Sequence, residues 1–178
     1  MLINNCEIEL MQGDITQQNT DAIVNAANKA LAGGAGVDGA IHSAGGPTIM
    51  EECNKIGRCA EGHAVVTVGG DLPAKYVIHT VGPIYSAGAL GQERVLASAY
   101  RNSLKLAVAY SISTIAFPSI STGSFRYPLH DAAKIALSTV TEFLKNETHD
   151  LHLVRFVLFD EKTFFTYQET LLQLGETS

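Results

Sequence analysis

Cysteine is scarce in this chain of 178 residues and poorly placed for chemistry, with Cys6, Cys53 and Cys59 as the whole complement. An odd number, with no C-x-x-C pair and no neighbouring pair of histidines, excludes a disulfide framework and gives no zinc spacing. The reading is three reduced thiols and no bound metal. Also lacking is a basic N-terminal segment followed by an apolar run, and no stretch approaches the roughly 18 uninterrupted apolar residues of a membrane span. A cytoplasmic protein without a membrane anchor is expected. Positive charge is in deficit: 12 Lys and Arg against 18 Asp and Glu leave a net charge of −6. That balance argues against broad binding to a nucleic-acid backbone, because no surplus of cations is available to displace its counterions. An anionic ligand stays compatible with the chain if backbone N–H groups receive it. Internal repeats, linkers and low-complexity segments are absent too. With 46% hydrophobic and 17% charged residues, one domain spanning residues 1–178 is expected.

What is present is concentrated in Asn25 to Gly46, N-A-A-N-K-A-L-A-G-G-A-G-V-D-G-A-I-H-S-A-G-G. The apolar run Ala22, Ile23, Val24 stops there, Gly33, Gly34 and Gly36 follow, and the pattern becomes helical from Val37. Strand, glycine loop and helix in that order bring backbone N–H groups and the positive end of a helix dipole to one point, which suits a phosphate or pyrophosphate. A plain tight turn needs glycine as well. It does not need Asn25, Asn28 and Asp38, three short hydrogen-bonding side chains embedded in the same stretch.

Along the chain, Cys6 to Gln12 alternates as a strand and ends at Gly13-Asp14, where Asp14 reads either as a turn-capping carboxylate or as a ligand contact. Pro47 opens a helix that Gly57 ends. His63 to Val68 and Tyr76 to Val81 read as neighbouring strands, with His63 and His79 as structural histidines inside them. A helix over Gln92 to Tyr110 carries Leu96, Ala99, Ser103, Leu106 and Tyr110 on one face. Thr114 to Pro118 is a short strand, followed by the glycine and hydroxyl loop Ser119 to Phe125. A helix from Pro128 buries Ala133, Ala136, Val140, Phe143 and Leu144. A strand over Leu151 to Phe159 precedes a closing helix, Lys162 to Leu174, with Phe164, Tyr167, Leu171 and Leu174 as its apolar stripe. Strands alternating with helices predict an α/β fold with a largely parallel sheet between helical layers, the middle strands leaving room for antiparallel pairing. In such sheets ligands bind beyond the carboxyl ends of the strands, and three strand ends carry polar or glycine loops.

These pieces resemble the macrodomain family, in its MacroD-type class of ADP-ribose ester hydrolases. The matching motifs are G-D-I at Gly13 to Ile15, V-N-A-A-N at Val24 to Asn28, G-V-D-G-A-I-H at Gly36 to His42, the pair G-H-A-V-V-T and V-I-H-T-V-G-P, and I-S-T-G at Ile120 to Gly123. The resemblance implies a three-layer α/β/α sandwich with a mixed, largely parallel central sheet and a cleft for ADP-ribose. In it Asp14 would anchor the adenine amino group beside Ile15, and Phe159 would face the adenine ring. Gly34, Ala35, Gly36 and Val37, with Ser121, Thr122, Gly123, Ser124 and Phe125, would clasp the pyrophosphate largely through backbone N–H groups. Asn28 would hold the distal ribose and Asp38 would sit beside the scissile bond, while Asn25 either contacts substrate or braces the loop through local backbone. His42, one helical turn beyond Asp38, either orients that carboxylate or packs the helix.

Two positions depart from the family pattern. Ala35 replaces a glycine, a strain of roughly 1 kcal/mol if that residue requires φ > 0, and Phe125 stands where hydrolytic relatives often carry Tyr. The implied activity is metal-independent hydrolysis, without a cofactor, of O-acetyl-ADP-ribose or of mono-ADP-ribose esters on Asp and Glu side chains of proteins. The rival readings are a non-catalytic ADP-ribose reader and an ADP-ribose 1″-phosphate phosphatase. A nicotinamide oxidoreductase is weaker, because no G-x-G-x-x-G spacing follows the first strand.

Overall fold

The computed structural model describes residues 1–177. Seven strands run β1 (Leu2–Ile3), β2 (Cys6–Gln12), β3 (Ala22–Ala26), β4 (Ala64–Val68), β5 (Tyr76–Thr80), β6 (Thr114–Phe117) and β7 (Leu153–Leu158). They form one sheet in the order β1-β2-β7-β6-β3-β5-β4. The five inner strands β2, β7, β6, β3 and β5 are parallel, and β1 and β4 pair antiparallel at the two edges. The two-residue strand β1 is an addition to the sequence reading, which has no pattern long enough to reveal it.

Five helices cover the sheet: α1 (Gly36–Gly45), α2 (Pro47–Ile56), α3 (Gln92–Ala109), α4 (Leu129–Asn146) and α5 (Glu161–Glu176). Side chains alternate across a strand, so each strand divides its apolar residues between two cores. Ile23, Val77, Ala116 and Val157 face Ile41, Ile49 and Cys53 of α1 and α2. Val24, Ile78, Phe117 and Phe156 face Leu96, Tyr100, Val140 and Tyr167 of α3, α4 and α5. The result is the expected mixed sheet between two helical layers. Burial on both faces explains why β6 reads Thr-Ile-Ala-Phe with no polar alternation.

Local signals fix the helix ends. Pro47 occupies the first turn of α2, and Gly57 closes it at φ +92°. Asp160 caps α5 by accepting the Thr163 backbone N–H at 2.8 Å. The buried row of α3 is Leu96, Ala99, Tyr100, Ser103, Leu104 and Ala107, whereas Leu106 is half-buried and Tyr110 is 46% exposed. The helix is rolled by about one residue from the expected face because Tyr100 packs its ring on Phe117 and Phe156, at 5.2 and 6.2 Å between centroids. His63 also departs from expectation, lying exposed and just ahead of β4. The ladder with β5 begins at the Ala64–Thr80 pair, one residue later.

Candidate active site

The carboxyl ends of β2, β6 and β7 open onto a cleft of about 440 Å³, walled on its other side by the start of α1. This is where a parallel sheet leaves its loops free to build a site. Of the residues singled out in the sequence, Asp14, Ile15, Gly36 and Val37 line the cleft, and so do Thr122, Gly123 and Phe159.

Asp14 follows β2 and caps the single 3₁₀ turn Ile15–Gln17, its Oδ1 accepting from the Thr16 N–H at 2.9 Å and from the Thr16 hydroxyl at 2.7 Å. Capping and ligand contact are therefore compatible, since the second carboxylate oxygen is not used by the cap. The turn is tied back to the sheet. Gln18 Nε2 donates to the Asp14 carbonyl at 3.0 Å and its Oε1 accepts from Arg155, which also donates to Glu9 at 2.8 Å. Across the cleft Phe159, at the end of β7, is 83% exposed, so its ring has a free face. Asp160 and Thr163 at the start of α5 line the same wall and were missed in the sequence. The signal was an Asp two residues ahead of the expected helix start. The N–H of Thr163 holds the Asp160 carboxyl below its usual range.

The glycine loop delivers α1 with its first N–H groups toward the cleft. The first intrahelical bond runs from Gly39 N–H to the Ala35 carbonyl at 3.3 Å, which leaves the earlier N–H groups of the turn free for an anion. Ala35 has φ −93° and ψ −175°, an extended conformation any residue adopts. The conditional strain at position 35 does not arise, and Gly36, at φ +60°, is the residue that needs the left-handed region. Gly34 has two polar side chains close to it. A Cβ built there would stand 3.3 Å from Asp38 Oδ2 and 4.0 Å from Asn28 Nδ2, so the two groups flank Gly34. Asn28 shapes the turn before it, accepting from Ala32 N–H at 3.0 Å and donating to the Gly33 carbonyl at 2.8 Å. Each amide group of Asn28 keeps one further bonding position.

Asp38 lies in the first turn of α1, where a carboxylate is favoured by the helix dipole, and it is buried. Its Oδ1 accepts from Asn25 Nδ2 at 2.8 Å and lies 3.3 Å from His42 Nε2. Asn25, fully buried in β3, bonds Asp38 and His79, so it braces the start of α1 as one expectation held, but through side chains and not local backbone, and it does not line the cleft. His42 Nδ1 is buried without a partner among the described residues. Behind this group the fold brings His42, Cys53 and His79 together, with ligand-capable atoms within 4.8 Å of one another. Sequence spacing hid this set because its members come from α1, α2 and β5. Burial pushes the Cys53 thiol up to about 11 and the His79 imidazole down to about 3, so Cys53 is a protonated thiol and His79 a neutral imidazole. His79 Nε2 is already 2.9 Å from the Thr67 hydroxyl.

The second loop is held from beneath by two tyrosine hydroxyls. Tyr100 accepts the Ile120 N–H at 3.0 Å, and Tyr167 donates to Ser119 Oγ at 2.8 Å. Thr122 Oγ1 donates to Ser119 as well. Ser121 is at φ +67°, and its buried hydroxyl packs against Gly82 without a hydrogen-bond partner among the described residues, so its side chain does not line the cleft. Ser124 and Phe125 continue the loop outside the cleft lining, and the Phe125 carbonyl accepts the Tyr85 N–H at 2.8 Å.

With this geometry in place, the comparisons become specific. The Macro domain family model matches residues 24–136. The O-acetyl-ADP-ribose deacetylase of Escherichia coli (strain K12) is 49% identical over 174 residues, covering 95% of this chain and 97% of that protein. The macrodomain of Oceanobacillus iheyensis, solved with ADP, superposes with a TM-score of 0.96 at 44% identity, covering 100% of this chain and 96% of that one. The Trypanosoma brucei macrodomain in complex with ADP-ribose gives 0.87 at 40% identity, over 92% and 68% of the two chains. A sandwich whose strand ends, glycine loop and α1 start enclose one cleft, matched over nearly its whole length by such relatives, is a macrodomain: the chain belongs to the Macro domain family.

Proposed function

We propose that this protein binds ADP-ribose in the cleft and hydrolyses esters on its distal ribose, with O-acetyl-ADP-ribose as substrate and mono-ADP-ribosylated Asp and Glu side chains of proteins as a second class. The observation that carries this reading is the Asp38 carboxylate, buried, anchored through Oδ1, with its Oδ2 and Asn28 Nδ2 both near Gly34. Adenine would sit between Asp14 and Phe159, and the pyrophosphate would lie against the first turn of α1 and the loop around Thr122 and Gly123. From there the distal ribose would extend past Gly36 toward Gly34, which does not itself line the cleft. There Asn28 would orient the ribose and Asp38 would hold a water against the ester carbonyl. The water oxygen adds to the carbonyl carbon, the bond from that carbon to the ribose oxygen breaks, and the ribose oxygen takes a proton as the carboxylic acid departs. Positioning supplies most of the acceleration, because a carboxylate held by a neighbouring amide need not reorganise as the water attacks.

The test is incubation of the purified protein with O-acetyl-ADP-ribose and with a mono-ADP-ribosylated carboxylate protein, both products being scored. Release of acetate or of free ADP-ribose supports the reading; binding of ADP-ribose without turnover of either supports a reader module instead. We propose further that the reaction needs no metal, since a carboxylate and an amide suffice to place a water at an activated ester. Exhaustive chelation should leave kcat unchanged. Activity that disappears with chelation and returns with zinc or magnesium would overturn that part.

A further inference from the structure

Asn25 is held in an orientation that leaves its own carbonyl oxygen buried and without a partner among the described residues. An unpaired buried acceptor is costly, so something must enforce the arrangement. The amide nitrogen faces Asp38 Oδ1 at 2.8 Å on one side and His79 Nδ1 at 3.1 Å on the other. Toward a carboxylate it must donate. Both of its hydrogens are then committed, so His79 Nδ1 must accept, and a neutral imidazole that accepts at Nδ1 carries its proton on Nε2. That proton points to the Thr67 hydroxyl at 2.9 Å, which passes its own hydrogen to the Val68 carbonyl at 3.0 Å. Donors and acceptors match at every step from β4 through β5 and β3 to α1. Thr67, His79 and Asn25 are all buried, and desolvation keeps the imidazole neutral.

We propose that His79 and Thr67 are positioning residues for the hydrolysis: by fixing the imidazole as its Nε2–H tautomer, Thr67 makes His79 an acceptor for Asn25, which turns the Asn25 amide so that it donates to Asp38. If the proton moved to Nδ1, the Asn25 amide would turn over to offer its oxygen to His79, placing its N–H₂ group where the oxygen now lies unpaired. Asp38 would then lose its donor. The tautomer of His79 thus decides whether the Asn25 amide presents a donor or an acceptor to Asp38. Asn25 and His79 are register partners in adjacent parallel strands, so the sheet itself sets their separation.

The inference rests on Asp38 serving hydrolysis as proposed above, and its test reads the tautomer separately from turnover. In nitrogen-15 spectra of the imidazoles, His79 is expected to show a protonated Nε2 and a bare Nδ1. The Nδ1–H tautomer would overturn the proposal whatever the enzyme does. In kinetics with O-acetyl-ADP-ribose, Thr67→Val is expected to lower kcat about tenfold with ADP-ribose affinity unchanged, and Thr67→Ser to restore it, since Ser keeps the hydroxyl. Wild-type kcat in Thr67→Val, or equal losses in Thr67→Val and Thr67→Ser, would also overturn it. A loss of affinity in step with kcat would overturn it too, as the sign of a general structural defect.

Discussion

In the proposed reading Asp14 and Asp38 would serve the two ends of one ligand, and each is held within the protein through its Oδ1. For Asp14 this separates capping from recognition. Asn caps a helical turn as well as Asp does, but it would turn an N–H₂ group toward the adenine amino group. Asp14→Asn should keep the Ile15–Gln17 turn and lose a charge-assisted hydrogen bond of ~1.5–3 kcal/mol, weakening ADP-ribose binding by about tenfold to a hundredfold in calorimetry. Unchanged affinity would remove Asp14 from the adenine contact. Asp38→Ala should do the opposite, sparing affinity and lowering kcat by about 10² to 10⁴, as loss of a group that acts mainly in the transition state does. Single-turnover hydrolysis paired with binding measurements checks it, and a wild-type rate in Asp38→Ala would move the case to a reader. At this scale the sequence was informative wherever a residue's position belongs to a local motif. Gly13-Asp14-Ile15 and the Gly36 to His42 run could be placed from spacing and resemblance. Asn25 could not, because its partners Asp38 and His79 lie 13 and 54 residues away and meet it only across the sheet.

The elements explain which readings transferred and which did not. Parallel strands and capped helices write themselves into the sequence as apolar runs bounded by Gly, Pro and Asp, and so α2 and the inner strands fall where their patterns lie. The docking face of α3 does not. It is set by where Tyr100 can reach both Phe117 and Phe156 and still offer its hydroxyl to Ile120 N–H, a tertiary condition that helical periodicity leaves open within one residue. The set His42, Cys53 and His79 was illegible for the same reason, since three elements contribute one residue each. Tyr100 therefore couples a core helix to the second cleft loop. Tyr100→Phe keeps the ring and removes the acceptor, leaving the Ile120 N–H buried and unpaired, at a cost of about 1–3 kcal/mol. Its denaturant midpoint should fall accordingly with an unchanged slope. An unchanged midpoint would mean that the loop takes no support from α3.

For the molecule as a whole, the buried titratable groups define a pH window of stability. His79 is neutral in the fold down to about 3, while the unfolded chain protonates it near the ordinary value of 6.5. Between those values the unfolded state binds the extra proton, so this contribution is fully present above about pH 6.5 and is lost as the pH falls toward 3. The loss runs at about 1.4 kcal/mol per pH unit inside the window, or about 2 kcal/mol at pH 5. On the alkaline side the signs reverse. Cys6 and Cys53 are pushed up from 9.0 to about 11 by burial, so the unfolded chain ionises first and stability declines as the pH rises above 9. The most stable range should lie between about pH 6.5 and pH 9. Asp38 and His42 face the same cluster as His79, so the acid limb needs its own control. His79→Gln leaves an amide oxygen to accept from Asn25 but no group to protonate. Urea midpoints measured from pH 4 to pH 10 should show a wild-type acid limb that is markedly flatter in His79→Gln, with the alkaline limb common to both. Parallel acid limbs in the two proteins would show that the buried imidazole is not the group that sets acid stability.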